Sequence, residues 1–204
     1  MAQLLLDVST LLRNCINENS GKVMKIIIIG KGPGWEKAPT KGETWGLNDL
    51  LIYRPLTLTF EMHDIDKFRT RTTNAYVGLC DAFEREIDTI NELGIPVVTQ
   101  KKHKLLPTAI PFPLDKMPVK YFTSSIAYMV AYAVYKEATE IEIYGCPLLA
   151  KEEYNEQRQC IEFWIGYAMG KGIKVTVHKP TNILTAKPHM GLYGYEWDNW
   201  GNIV

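Results

Sequence analysis

In the stretch Phe60-Glu61-Met62-His63-Asp64 an imidazole and a carboxylate follow each other directly, where an apolar, strand-forming run ends. Histidine exchanges protons near neutral pH, and a histidine beside a carboxylate is a common acid–base pair in enzymes. His63 and Asp64 are therefore the candidate catalytic residues, suited to taking a proton from a substrate. Successive residues of a strand point to opposite faces, so adjacency leaves open whether the two side chains touch.

A second group of residues suits an anion or a polar ring. Ile26, Ile27, Ile28 and Ile29 run straight into Gly30-Lys31-Gly32-Pro33-Gly34. Small residues in such a turn let backbone N–H groups approach a bound group, and Lys31 adds positive charge. The turn is neither of two familiar phosphate motifs: G-x-G-x-x-G needs glycine where Trp35 stands, and the P-loop needs Gly-Lys followed by Ser or Thr. A plain tight turn is the competing reading. Further on, Trp45-Gly46-Leu47-Asn48 offers a ring and an amide, and the amide has one donor and one acceptor edge for a base or a sugar. Asparagine is also a turn former, so that role stays open. Thr123, Ser124 and Ser125 precede an apolar helix; one hydroxyl caps it, and the others at a helix N-terminus suit a phosphate. The expected ligand-binding set is Gly30, Lys31, Gly32, Pro33, Gly34, Trp45, Asn48, Thr123, Ser124 and Ser125, with no metal and no separate cofactor.

The elements that must hold these residues alternate. Residues 26–29, 44–47, 56–62, 95–100, 140–144 and 173–178 read as strands from their β-branched and aromatic content. Residues 75–94 read as a helix with Val77, Cys80, Phe83, Ile87, Ile90 and Leu93 on one face and Gly94 as its stop. A hydroxyl-capped helix is expected over 124–138, and another over 152–172 with an acidic first turn. Residues 101–120 hold four prolines without a period and read as a long binding loop. Alternating strands and helices imply an α/β, Rossmann-like three-layer domain with a mainly parallel sheet, whose ligands bind beyond the carboxyl ends of the strands. Residues 1–23 read as an amphipathic helical arm with Leu4, Leu5, Val8, Leu11, Leu12 and Cys15 at helical spacing, a surface for self-association; Met24 as an alternative start is the other reading. Residues 24–204 form the domain, closed by an irregular tail in which Tyr193, Tyr195, Trp197 and Trp200 either stack on a ligand or fold back on the core. His178 and His189 show no partner in the sequence.

Composition excludes several classes. Lys+Arg and Asp+Glu are 23 each, so there is no net field to gather nucleic acid or to hold an anionic membrane. The short apolar start carries Asp7 early, against a signal peptide or a span. Cys15, Cys80, Cys146 and Cys160 lie far apart without a C-x-x-C pair, which argues against zinc and against a disulfide framework. Reduced, mostly buried thiols in a cytoplasm are the expectation.

Two resemblances follow from the quoted motifs. Strand-GKGPG, WGLN and YFTSSIAYMVAYAVYKEATEIEIYGCPLL resemble the pattern of family 42 sialyltransferases and motility-accessory-factor-like proteins. Gly30, Gly32, Pro33, Asn48, Thr123 and Ser124 match that pattern. Lys31, Gly34, Ser125 and Cys146-Pro147 depart from it, and no position aligns with the family's catalytic histidine. A chain-wide likeness from Met24 on, including FEMHD and LYGYE, is to small Rossmann-like proteins of tailed bacteriophages. The resemblances imply a nucleotide or nucleotide sugar as ligand, a glycosyltransferase-like reaction and a setting in the host bacterial cytoplasm. The alternative they leave is a protein that sequesters a signalling nucleotide of host defence without turning it over.

Overall fold

The isoleucine run forms the central strand, β1 (Lys25–Ile29), and it is covered on both faces. Its neighbours are β2 (Glu43–Leu47) on one side and β6 (Glu140–Tyr144) on the other, both parallel to it. Burying each isoleucine side chain is worth roughly 1.5–3 kcal/mol, which explains why four β-branched residues in a row belong at the middle of a sheet rather than at its rim. A computed structural model describes residues 23–69, 77–148 and 152–185. Among them seven strands build one parallel sheet in the order β5-β4-β3-β2-β1-β6-β7, with β3 Leu58–Glu61, β4 Val97–Thr99, β5 Ala109–Pro111 and β7 Lys174–Val177. The chain winds outward from β1 to β5, returns to β6 and winds the other way. The strand order therefore reverses between β1 and β6.

That reversal puts helices on both faces, because right-handed crossovers running in opposite directions cover opposite sides. Ile27, Ile29 and Val97 pack under α2 (Val77–Leu93) and the 3₁₀ turn Asn48–Ile52, with Phe83, Ile87 and Ile90 from the helix. Ile26, Ile28, Phe60, Ile141 and Ile143 pack under α3 (Ser125–Tyr135) and α4 (Glu152–Gly170), with Met129, Ala133, Ile161 and Trp164. The expected Rossmann-like three-layer arrangement is the one observed.

Two details differ from expectation. Residues 101–120 are not all loop: they contain β5 and the 3₁₀ turn Leu114–Lys116. Pro111 hid the strand, since proline lacks the N–H that a central strand needs; β5 is an edge strand, where that donor is dispensable. The inner face of α2 also differs, because Leu93 is largely exposed while Glu86 is buried beside Phe83, Ile87 and Ile90.

Arg54 braces the segment that follows the first loop. Its guanidinium donates to the carbonyls of Trp35 at 3.0 Å, Ala38 at 3.3 Å and Pro39 at 2.7 Å from a buried position. The start of the tail is tied to the loop after β6: Thr181 Oγ1 donates to the Cys146 carbonyl and Asn182 N to that of Pro147, both at 2.9 Å. The helical arm, His189 and the tail aromatics lie outside the described residues. Among the described residues no helix is long and apolar enough to cross a membrane.

Candidate active site

The carboxyl ends of β1 and β6 meet where the strand order reverses, the place where such sheets usually receive a ligand. Here protein occupies it. Gly30 N donates to the Tyr144 carbonyl at 2.8 Å and Gly32 N to that of Gly145 at 2.9 Å. A Cβ at Gly30 would lie 2.4 Å from the Gly145 oxygen, one at Gly32 2.3 Å from Pro147 Cδ, and one at Gly145 2.6 Å from the Gly30 oxygen. The loops therefore approach each other more closely than any side chain allows, and these glycines are accounted for by that clasp. This corrects the expectation that Gly30 and Gly32 present their N–H groups to a ligand.

Polar side chains gather beside the clasp, over the ends of β1, β2 and β3. Lys31 forms an ion pair with Asp49. Asn48, at φ 50°, has a buried Oδ1 with no hydrogen-bond partner among the described residues. A left-handed backbone and an unmet acceptor are both costs, and such costs gather at functional sites. At the end of β3, Glu61 is almost fully buried and its Oε1 accepts from His63 N at 2.7 Å and lies 2.6 Å from His63 Nδ1. A carboxylate held this way needs the Nδ1 proton, so Nε2 is the ring nitrogen that has to exchange protons with a substrate. Glu86 reaches down from α2 and hydrogen-bonds Glu61; burial, and then the Glu61 charge, push its carboxyl up to about 10.

The carboxylate that partners His63 is therefore Glu61, not Asp64. Residues two apart on an extended chain share a face, whereas neighbours do not. Asp64 instead caps the short helix α1 (Ile65–Arg69), accepting from Lys67 N at 3.2 Å. Trp45 belongs to the core: it is 1% exposed, its ring packs on Phe60 and Tyr132, and its Nε1 donates to Glu43 at 2.7 Å. That burial removes it from the ligand set. Ser124 is the N-cap of α3, accepting from Ala127 N at 3.3 Å, and Thr123 Oγ1 donates to the Glu156 carbonyl at 3.1 Å. Capping and a tether to α4 thus occupy two of the three hydroxyls. Ser125 opens the helix, half-buried. Gly34 takes φ 97° to start a 3₁₀ turn, and Pro33 before it is exposed. His178 stacks on Tyr144 with ring centroids 3.8 Å apart. Cys146 is buried, which pushes its thiol up to about 12 and leaves it inert at neutral pH.

The crevice beside His63, lined by Asp64, Thr99, Gln100, Lys101 and His103, is narrow, about 10 Å³. A roomier cleft of about 480 Å³ lies between Met117, Tyr135, Trp164 and Tyr167. It opens at the other end of the sheet, since Ala138 and Ile173 on its wall precede β6 and β7. Volume favours that cleft over the crevice and chemistry favours the carboxyl edge; the acid–base pair decides for the edge, because nothing comparable lines the cleft. Sequence reading missed Glu61 and Glu86. The two-residue spacing of Glu61 and His63 was the available signal for the first, and an acidic residue inside the apolar stripe of α2 was the signal for the second.

No protein-family model matches this sequence, and no curated protein matches it. Solved structures of the sialyltransferase CstII from Campylobacter jejuni are similar in chain course at low identity. The complex with cytidine-5'-monophosphate shares 16% identity over 79% of this chain and 81% of that one, with a TM-score of 0.46. The complex with CMP-3FNeuAc shares 13% over 75% and 79%, also at 0.46. The complex with a trisaccharide acceptor and CMP shares 14% over 78% and 82%, again at 0.46. The ligands and the reaction named there remain properties of that enzyme.

Proposed function

We propose that this chain is a nucleotide-sugar-dependent, glycosyltransferase-like transferase working at the carboxyl edge of its sheet, in the bacteriophage and host-cytoplasm setting that its sequence resemblance suggests. The observation that carries the reading is the Glu61–His63 pair, a buried carboxylate holding a half-exposed imidazole at 2.6 Å. In this reading an acceptor hydroxyl gives its proton to His63 Nε2 as its oxygen attacks the anomeric carbon of the donor. The new C–O bond forms as the bond to the nucleotide phosphate breaks, and the phosphate leaves with the electron pair. Glu61 stabilises the imidazolium that results. Asn48, with its unmet Oδ1, and Lys31 follow β2 and β1 at the same edge of the sheet and in this reading orient the donor.

A melting-temperature screen against nucleotides and nucleotide sugars tests the reading. A ligand at 100-fold its Kd adds about 2.7 kcal/mol of stability. At least one nucleotide sugar is expected to raise the melting temperature and to be consumed when acceptors are supplied. A donor that binds and returns unchanged on denaturation would make the chain a sequestering protein instead, and no response from any nucleotide would overturn both.

A further inference from the structure

We propose that Glu86 is a positioning residue: from the buried face of α2 it donates a carboxylic O–H to Glu61, so that Glu61 stays an anion and holds His63 in its Nδ1–H form. The inference rests on the reading of His63 as the base. Glu86 is 3% exposed and Glu61 1%. Phe60 packs on the α3 side of the sheet, so its neighbour Glu61 faces the layer that holds Phe83, Ile87 and Ile90 of α2, and there the Glu86 carboxyl hydrogen-bonds it. Two buried carboxyls this close cannot both be ionised, so one of them carries a proton.

Geometry decides which. Glu61 Oε1 is met by two N–H groups of His63, and donors of that kind favour a carboxylate. Glu86 Oε1 has no hydrogen-bond partner among the described residues, so a charge there would be buried without compensation. The surrounding charges agree. Asp49, from the turn after β2, adds negative charge near Glu86, and Lys31 from the β1 loop opposes it only in part. The proton therefore sits on Glu86, and the order of donors is Glu86 O–H to Glu61, then His63 Nδ1–H to Glu61. Without Glu86, Glu61 would be a buried carboxyl short of a donor; it would take up a proton and turn that proton toward Nδ1. His63 would then carry its own proton on Nε2 and be unable to accept one from a substrate.

The test needs no substrate, so its failure is distinguishable from failure of the transferase reading. Nitrogen-15 NMR of the full chain near neutral pH reads the tautomer of His63, assigned by its loss in His63→Asn. The wild type and Glu86→Gln, whose amide N–H still donates to Glu61, are expected to show the Nδ1–H form, and Glu86→Leu to lose it in favour of Nε2–H. The same tautomer in all three chains, or a Glu86→Gln chain that loses the Nδ1–H form, would overturn the proposal. If Glu86→Leu does not fold, carbon-13 spectra of labelled glutamate decide: a protonated carboxyl is expected near neutral pH in the wild type and absent in Glu86→Gln. A wild type without that resonance also overturns it.

Discussion

Glu61 takes two hydrogen bonds from a single residue, His63, through one oxygen: 2.7 Å from the backbone nitrogen and 2.6 Å from Nδ1. The backbone bond fixes where the residue leaves the sheet, and the ring bond fixes how the imidazole is turned. If this hook sets up the base, His63→Asn and Glu61→Gln each slow turnover by roughly 10²-fold or more while nucleotide affinity stays within a few-fold. The double variant is expected to be little slower than either single one, since the two act as a unit. Steady-state rates with separate binding titrations check this, and a full-rate His63→Asn chain would end the assignment.

Glu86 makes stability depend on pH in a defined direction. Its folded carboxyl is raised to about 10, first by burial and then by the Glu61 charge, whereas in the unfolded chain it ionises at the ordinary 4.5. Between those limits the folded state binds more protons than the unfolded one, so stability falls as pH rises. The contribution is complete below the unfolded value and is progressively lost toward the folded one. Melting temperatures across that window are expected to decline on the alkaline side, and Glu86→Gln, which cannot ionise, is expected to flatten the decline. Parallel curves for the two chains would contradict it.

The clasp between Gly30–Gly32 and Gly145 predicts losses of stability rather than of ligand affinity alone. Gly32→Val places branched carbon against Pro147, and Gly145→Ala adds a Cβ at φ 63° against the Gly30 carbonyl. Overpacking and left-handed strain together cost roughly 2–4 kcal/mol. Chemical denaturation of both variants is the measurement, and a Gly32→Val chain of wild-type stability would return the loop to a ligand role.

Arg54→Ala is expected to destabilise by roughly 2–4 kcal/mol, because three carbonyls of the 35–39 segment lose their donor. Arg54→Lys is expected to recover less than half, since a single ammonium cannot span what a planar fork reaches. Denaturation midpoints of the two variants decide.

The fold was legible where a residue's environment follows from its type. Four isoleucines had to be buried, one hydroxyl of Thr123, Ser124 and Ser125 had to cap, and the strand at 140–144 was read at its observed bounds. It was less legible where one residue type serves two physical ends. The missing Cβ of Gly30 and Gly32 suits a close ligand and a close loop equally, and only the position of Gly145, far along the chain, distinguishes them. Trp45 joined the expected ligand set for its ring close to Asn48; its burial depends on Phe60 and Tyr132, which the local sequence does not reveal. Glu86 was passed over because a charge within an apolar stripe reads as a surface residue until its partner is known. His63 was legible, but its carboxylate was not: strand alternation left contact with Asp64 open, and Glu61, two residues back on the same face, was not considered.

The pairing of β1 with β6 also bears on how the chain comes together. The strands β1 to β4 join neighbours in sequence order, whereas β1 meets β6 only after most of the chain is available; Met24 N and Thr139 Oγ1, bonded at 2.9 Å, are 115 residues apart. Closing so long a loop is entropically slow, and contacts of that separation delay folding. During synthesis β1 would wait with one edge unpaired until β6 leaves the ribosome. Its isoleucines would be the stretch most in need of a chaperone in that interval.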